Sequence, residues 1–199
     1  MAKKAKKAAP KRKAPRAKAR AKATAKVAPI PEYLHSVTAN LVLEDSVPAI
    51  AFYEKAFGAK VLSRMASPDG KSTWHAELRI GDSVIFLNDA SPMNAAVVAP
   101  GPDHAATAVL HLYVKDCDAT IAGAIAAGAK AGMPAEDMFW GDRMGSIVDP
   151  FGLPWSIATR KAKLTPKQMQ KAAEEFVRKQ EPVAFPHEPG SEEYGPGDA

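Results

Sequence analysis

The stretch that decides the fold runs Met138-Phe-Trp-Gly-Asp-Arg-Met-Gly-Ser-Ile-Val-Asp-Pro-Phe-Gly-Leu-Pro-Trp-Ser-Ile-Ala158. It predicts two strands joined by a tight turn at residues 149–152, because Pro150 and Gly152 stand at turn positions where these residues are favoured. The first of these strands also brings three side chains suited to ligand contact into a short segment. They are Trp140, Asp142 and Arg143.

The pattern that precedes this hairpin occurs twice in the chain. Leu112-Tyr-Val-Lys-Asp116 follows Leu41-Val-Leu-Glu-Asp45 by 71 residues, and Gly128-Ala-Lys130 follows Gly58-Ala-Lys60 by 70. The order and the spacing of the two copies agree, although few residues are identical. We infer that one structural unit is used two times, with a connector rich in proline and alanine between the copies.

Residues 37–43 predict the first strand of the first unit, and Ser46-Val-Pro48 predicts the start of a helix, with a capping side chain and a proline in the first turn. This helix is expected to end at Gly58. The helix of the second unit, at about residues 118–127, contains only two isoleucines among alanines and glycines, so it should pack closely on its sheet. Further strands of the first unit are predicted at residues 60–66, 73–80 and 84–88.

The charge is distributed unevenly along the chain. Twelve of the 27 basic residues lie in residues 1–31, which contain no acid, so the remainder carries 15 basic residues against 22 acidic ones. Residues 1–30 predict a disordered basic tail of Lys, Ala and Pro, and residues 181–199, which lack Lys and Arg, a disordered acidic tail. Three uses of residues 3–26 stay open: nonspecific binding of nucleic acid by phosphate neutralisation, a solubilising tail, or a transit peptide.

Composition excludes several other classes of protein. A single cysteine excludes an internal disulfide framework and a metal cluster built from cysteines alone. No run approaches the ~20 apolar residues that a membrane span needs. No apolar core of a signal peptide follows the N-terminal charges, so we expect a cytoplasmic protein that does not contact membranes.

The hairpin carries a resemblance to a known family. FWGDRMG followed by DPFG and WSIAT is similar to the PhnB-like branch of the vicinal oxygen chelate superfamily, which includes glyoxalases, bleomycin-resistance proteins and dioxygenases. The resemblance extends over about residues 35–180. It implies an α+β fold, with a domain at residues 31–162 made of two βαβββ modules (35–89 and 106–160). It also implies a homodimer. A capping box at Thr165-Pro-Lys-Gln168 predicts a C-terminal helix within residues 163–180.

In this superfamily the site lies on the concave face of each sheet, opposite the helix. Because successive strand residues point to opposite faces, alternation separates the two sets of side chains. In the third strand Trp74, Ala76, Leu78 and Ile80 should pack under the helix, which leaves His75, Glu77 and Arg79 for the cavity or the solvent. In the fifth strand Ala108, Leu110, Leu112 and Val114 form the packing set, which leaves Val109, His111 and Tyr113.

The resemblance also implies a divalent metal held by one residue from each of four strands. In this sequence those positions carry Thr38, Phe86, Val109 and Ser156, and neither phenylalanine nor valine offers a donor atom. We therefore expect the usual metal to be absent, with no cofactor in its place. A displaced metal site built from His75, Glu77 and His111 is the alternative, and an ordinary polar sheet face is another. A further alternative is that Glu77 and Arg79 only form charge pairs with neighbouring strands.

Arg143 and Trp140 each have two interpretations. Arginine offers a planar fork for a carboxylate or phosphate, and tryptophan offers a flat wall with one donor. Alternatively, Arg143 pairs with a carboxylate at the module junction and Trp140 belongs to the core, where Trp155 is also expected. The candidate ligand-binding residues are His75, Glu77, Arg79, His111, Tyr113, Trp140, Asp142 and Arg143.

Three functions follow as hypotheses. The first is a PhnB-like protein that binds a small molecule in a cavity on the concave sheet faces without the usual metal. The second is a metal-dependent lyase or dioxygenase that uses the displaced site. The third is an interaction protein that the basic arm tethers to nucleic acid.

Overall fold

The computed structural model describes residues 27–94, 97–101 and 104–179. The predicted acidic tail lies outside these residues, and so does the predicted basic tail apart from its last four residues. Among the described helices, none is both long and apolar enough to cross a bilayer.

The first module has the order of elements that the sequence predicts, although its first strand begins at Asn40 and not at residue 37. The elements are β1 (Asn40–Leu43), α1 (Ser46–Phe57), β2 (Lys60–Ala66), β3 (Thr73–Ile80) and β4 (Ser83–Asp89). The strands form a four-stranded sheet in the order β1-β4-β3-β2, in which β1 runs parallel to β4 and the other pairs are antiparallel. Gly58 ends the helix in the left-handed conformation, with φ 65°, as expected for a C-terminal glycine.

The second module repeats this topology with one additional strand. The elements are β5 (Leu110–Tyr113), α2 (Cys117–Ala126), β6 (Lys130–Ala131), β7 (Glu136–Asp137), β8 (Asp142–Val148) and β9 (Pro154–Arg160). The strand order is β5-β9-β8-β6, with β5 parallel to β9, and the short strand β7 also pairs with β8. The connector between the modules contains a 3-10 turn at Pro92–Asn94.

The extra strand arises from an interruption between β6 and β7. The Gly132 backbone lies so close to Ser146 that an added Cβ would stand 2.5 Å from the Ser146 hydroxyl oxygen. That hydroxyl accepts a hydrogen bond from the Met133 backbone N–H at 2.8 Å, in place of a regular ladder bond. Pro134 has no N–H to donate. The expected single strand is therefore divided in two, and a five-stranded sheet replaces the expected four-stranded one.

The two helices begin in the same way, 71 residues apart. Asp45 and Asp116 are the N-caps: the Asp45 carboxylate accepts a hydrogen bond from Val47 N–H at 2.9 Å, and the Asp116 carboxylate accepts one from Ala119 N–H at 3.0 Å. Sequence patterning assigned the cap of the first helix to Ser46, and that assignment is wrong. Ser46 is the first helical residue and is fully buried, so its side chain is packed rather than turned back to cap the backbone.

The first N–H of each helix donates a hydrogen bond to a side chain of a strand in the adjacent sheet. Ser46 N–H donates to the Asp89 carboxylate at 2.8 Å, and Cys117 N–H donates to the Thr159 hydroxyl at 2.8 Å. These bonds satisfy backbone donors that a helix cannot pair internally. They also confirm, at the level of contacts, that the second module repeats the first.

One hydrophobic core joins the modules, and a buried carboxylate lies at its centre. Asp149, which is 2% exposed, accepts hydrogen bonds from Tyr53 OH at 2.7 Å and from Trp155 Nε1 at 3.0 Å. Its other oxygen accepts the N–H groups of Phe151 and Leu153, both at 2.9 Å, which fixes the turn that the sequence predicted. The hairpin of the second module is thereby attached to α1 of the first.

Helix α2 packs closely on its sheet, as its small residues predict. A Cβ added to Gly145 of β8 would stand 2.7 Å from the Ile121 side chain.

The expectation for Trp74 is wrong, because its side chain is 51% exposed and Thr73 is buried in its place. The pairing of β2 with β3 skips Trp74, and such a bulge reverses the faces of the residues that precede it.

The C-terminal helix α3 spans Pro166–Lys179 and begins with the predicted capping box. Thr165 N–H donates to the Gln168 side chain at 2.9 Å, and Gln168 N–H donates back to the Thr165 hydroxyl at 3.3 Å. None of the helix residues is buried. The helix touches the second module through the rings of Phe176 and Phe139, whose centroids are 5.3 Å apart.

Candidate functional site

Two side chains from the second module, Tyr113 and Trp140, meet at a buried carboxylate. Asp142 is 6% exposed, and its Oδ2 accepts hydrogen bonds from Tyr113 OH at 2.8 Å and from Trp140 Nε1 at 3.2 Å. The structure thus brings together three of the residues that the sequence predicted. The hydrogen bond to Asp142 raises the pKa of Tyr113, with burial and the carboxylate charge adding to this effect and the charge of Arg160 opposing it.

A close turn of the backbone positions Trp140 over Asp142. Gly141 N–H donates to Met138 carbonyl at 3.0 Å, and Gly141 has a φ of 99°, which disfavours any residue with a Cβ. An added Cβ would also stand 2.8 Å from the Ala162 carbonyl oxygen. The glycine between Trp140 and Asp142 therefore allows both side chains to reach the same point.

A cavity of about 1100 Å³ opens beside these three residues, where β5 and β9 end and β8 begins. We name it the terminal cavity. Its walls combine apolar side chains with several polar and charged groups, a combination that small-molecule sites use. The lining residues from the second module and α3 are Leu112, Tyr113, Val114, Lys115, Trp140, Asp142, Thr159, Arg160 and Met169; Phe57, Ile80 and Gly81 close the other side.

A second cavity, of about 450 Å³, shares Tyr113 and Leu112 with the terminal cavity. It lies between β5, the turn that joins β3 to β4, and the segment that precedes β1. His111 lines it, and the His111 ring packs edge-on against the Tyr113 ring at 4.8 Å. Tyr33 and His35 line it from the N-terminal segment. Of the predicted residues, only Tyr113 therefore faces both cavities.

Two of the three predicted residues of the first module, His75 and Glu77, form a separate cluster. Glu77 accepts a hydrogen bond from Tyr33 OH at 3.2 Å, and His75 Nε2 lies 3.4 Å from the other Glu77 oxygen. Burial first, and the Glu77 carboxylate second, raise the pKa of Tyr33. Arg79 is exposed, lies opposite Lys60 and Val84 in the sheet, and lines neither of the two cavities.

Arg143 is already occupied by two carboxylates. Its Nε and Nη2 donate to the two oxygens of Asp118 at 2.7 and 2.8 Å, and its Nη1 donates to Asp137 at 3.3 Å. The hydrogen bonds from Arg143 lower the pKa of Asp118. Arg143 follows Asp142 directly in β8, so it projects to the opposite face of the sheet, towards α2. This geometry favours the structural interpretation, although both partners lie within the second module rather than at the module junction.

Comparison with known proteins identifies the family. The family model described as "Glyoxalase/Bleomycin resistance protein/Dioxygenase superfamily" matches residues 34–157, which is more than half of the chain. The chain belongs to this superfamily. The match covers both βαβββ modules, so the α+β fold that the sequence predicted is confirmed together with the family.

Relatives of this superfamily member are found in distant organisms. An uncharacterized protein of Mycobacterium bovis is 40% identical over 124 residues, which are 61% of this chain and 81% of the relative. The crystallographic structure of an Arabidopsis thaliana gene product has a TM-score of 0.50 and 26% identity, and covers 63% of this chain and 98% of its own. A glyoxalase/bleomycin resistance protein/dioxygenase family enzyme from Burkholderia phytofirmans has a TM-score of 0.51 and 23% identity, and covers 62% and 96%. At that identity the last likeness shows the fold alone.

The residues at the superfamily's metal positions do not fit a divalent ion. Phe86 packs edge-on against His75 at 4.8 Å between ring centroids, so a hydrocarbon ring fills the place of a ligand. Val109 likewise has no donor atom, and it is exposed. Within the part of the chain that the structure describes, no group of three or more His, Cys, Asp or Glu side chains is arranged to hold an ion. His75 and Glu77 are adjacent, but His111 belongs to the other sheet.

Sequence reasoning missed the two cations of the terminal cavity and the aromatic residue above Glu77. Arg160 lies opposite Asp142 in the register of β8 and β9, and Lys115 follows β5. Counting outward from the predicted turn at residues 149–152 places Asp142 opposite Thr159, one residue short of Arg160, because the observed register pairs Val148 with Pro154 across a five-residue loop. No local signal pointed to Tyr33, since only the path of the N-terminal segment brings it to Glu77.

Proposed function

We propose that this chain is a cytoplasmic, PhnB-like protein that binds a small molecule in the terminal cavity, without the divalent metal usual in its superfamily. The observation that carries the proposal is the buried Asp142 carboxylate, held by Tyr113 and Trp140 beside an open cavity of about 1100 Å³. A fixed carboxylate and a fixed indole give the cavity a defined shape before a ligand arrives. Such preorganisation lowers the entropic cost of binding.

The chemistry of the donors supports binding without a metal. The metal positions of the superfamily carry a phenylalanine and a valine here, and the polar groups of the terminal cavity include one carboxylate and two cations. Cations next to a site oppose the approach of a divalent ion by direct repulsion. An organic molecule with its own polar groups fits this environment better than an ion does.

We also propose that the protein is a homodimer. Every residue of β2 is exposed, and this strand forms one edge of the first sheet. Large apolar side chains lie near that edge without cover, including Met65 at 55% exposure and Trp74. A second copy of the chain would bury this surface, and sedimentation analysis of the full chain tests it: a monomer at micromolar concentration would contradict the proposal.

Native mass spectrometry of the full chain tests the ligand proposal. The protein is incubated with the small-molecule fraction of a cell extract, once with a chelator and once without, and the retained mass is measured. We expect a bound organic mass that survives the chelator and is lost in Trp140→Leu. Met93→Leu is the control, because Met93 is exposed in the connector and lines neither cavity. Retention that is equal in both variants would place the ligand elsewhere and contradict the proposal.

The metal-dependent lyase or dioxygenase is retained as the second candidate, since His75 and Glu77 lie 3.4 Å apart on one face of β3. A dimer partner would have to supply further ligands. Reconstitution of chelator-treated protein with Zn²⁺ or Ni²⁺ separates the two candidates. Stoichiometric metal that His75→Ala abolishes would favour the enzyme and contradict the metal-free proposal.

A third candidate rests on the sequence of the basic arm, where residues 1–31 carry twelve cations and no acid. Such an arm neutralises phosphates and binds nucleic acid without sequence preference. We propose that it tethers the domain to nucleic acid. The arm and the cavity are separate features of the chain, so both functions can hold in one protein.

A further inference from the structure

We infer that the ligand of the terminal cavity is an organic anion with a flat apolar body, whose acid group is bound by Arg160 and Lys115. The inference rests on the proposed function, because it names the chemical class that the same cavity would take. Three observations carry it: the charges that line the cavity, the way in which Asp142 is already bonded, and the aromatic wall.

The charges of the cavity wall sum to a positive value. The charged lining residues are Asp142, Lys115 and Arg160. Neither of the two cations takes part in an ion pair within 4.0 Å among the described residues, whereas Arg143, on the other face of the same sheet, is paired twice. Both cations are exposed, so their charge is available to an incoming group.

Asp142 does not cancel these cations at the mouth of the cavity. It is nearly buried, and its Oδ2 accepts the donors of Tyr113 and Trp140. An amine that approached the Asp142 Oδ2 would have to compete with these two donors, and at either oxygen it would lie close to Arg160, which is opposite Asp142 in the sheet. A carboxylate or another oxyanion gains from both cations instead, and the planar guanidinium of Arg160 matches an oxyanion with two parallel hydrogen bonds.

The apolar part of the wall selects the shape of the ligand. The Trp140 indole is held in one orientation by its hydrogen bond to Asp142 and by the Phe139 ring, which packs at 87° to it with centroids 4.9 Å apart, and Trp140 lines the cavity. Leu112 and Met169 add aliphatic surface on the same cavity. A planar ring system can therefore lie against Trp140 while its acid group reaches the two cations at the ends of β5 and β9.

Titration calorimetry of the full chain with three matched probes tests the inference. The probes are 2-naphthoate, the neutral 2-naphthamide and the cationic 2-naphthylmethylamine, which share one ring system and differ in charge. We expect 2-naphthoate to bind about tenfold more tightly than the amide, because a charge-assisted hydrogen bond is roughly twice as strong as a neutral one. Arg160→Gln should remove most of that advantage and leave the amide unchanged. Arg79→Gln, an exposed arginine outside both cavities, is the control and should change neither.

The outcomes separate this inference from the proposed function. Equal binding of the acid and the amide, or tightest binding of the amine, would overturn the anionic class, while loss of binding in Trp140→Leu would still support the cavity. Failure of all three probes at millimolar concentration would overturn the flat apolar anion. The proposal of a ligand cavity would itself be overturned only if no molecule from the cell extract required Trp140 for its retention.

Discussion

The hydrogen bond between Tyr53 and Asp149 should contribute more to stability than any other single hydroxyl contact described here. The Tyr53 side chain is fully buried, and its hydroxyl donates to Asp149 Oδ2 at 2.7 Å. In Tyr53→Phe that oxygen keeps only Trp155 Nε1 as a side-chain donor and stays shielded from water. Because a hydrogen bond to a buried charged group contributes about 1.5–3 kcal/mol, we expect the free energy of unfolding to fall by about 2 kcal/mol.

Urea unfolding of the full chain, followed by fluorescence and circular dichroism together, measures this change. With a slope of about 2 kcal/mol per molar urea, the midpoint should fall by about 1 M. Tyr33→Phe is the matched control, because it removes the same atom from an exposed hydroxyl that donates to Glu77, and it should leave the midpoint nearly unchanged. If both variants shift the midpoint equally, the buried carboxylate does not join the modules as described.

The same bond has a signature in alkaline solution. Burial first, and the Asp149 charge second, raise the pKa of Tyr53 far above its ordinary value of 10.0. The contribution is complete below pH 10, where the phenol keeps its proton in both states. Above pH 10 the unfolded chain releases this proton and the folded chain retains it, so stability falls with rising pH. Tyr53→Phe should lose stability less steeply between pH 10 and 11 than the parent, and parallel slopes would contradict the burial of this phenol.

Three further outcomes are expected. Gly145→Ala should lower the free energy of unfolding by about 1–3 kcal/mol in urea titrations, because the added methyl meets Ile121 at 2.7 Å in a closely packed contact; an unchanged midpoint would contradict it. Arg143→Gln should lower the melting temperature, because it loses the hydrogen bonds to Asp118, and should leave the affinity for 2-naphthoate unchanged. A lower affinity at an unchanged melting temperature would show that Arg143 contributes to ligand binding. A shortened chain that begins at Pro29 should lose retention on DNA at low salt, and equal retention across salt would exclude the arm as an anchor.

Sequence reasoning correctly predicted the elements that have strong local signals. The predicted bounds of β2 and β3 agree with the structure, and the capping box at Thr165 forms as written. Alternation assigned His111 and Tyr113 to the cavity side of β5, and both line a cavity, although Leu110 and Leu112 of the predicted packing set line one as well. Each of these features depends on neighbours in sequence, so a local pattern is sufficient to predict it.

Two of the errors have long-range causes, and a third comes from a local rule that was not applied strictly. The Trp74 side chain lies on the face opposite to the predicted one because a bulge in the pairing of β2 with β3 changes the register. Such a bulge depends on the partner strand, which the local pattern does not contain. Asp142 and Arg143 were both assigned to the site, although adjacent strand residues face opposite sides, and strict alternation would have kept only one. The contact of Tyr33 with Glu77 joins residues that are 44 positions apart, and only the folded path of the chain brings them together.

A crystal structure of the full chain with its captured molecule tests the central claim most directly. We expect density for an organic molecule in the terminal cavity, lying against Trp140 with its acid group within hydrogen-bonding distance of Arg160. An ordered metal ion bound by His75 and Glu77, or a ligand bound away from Asp142, would contradict the account.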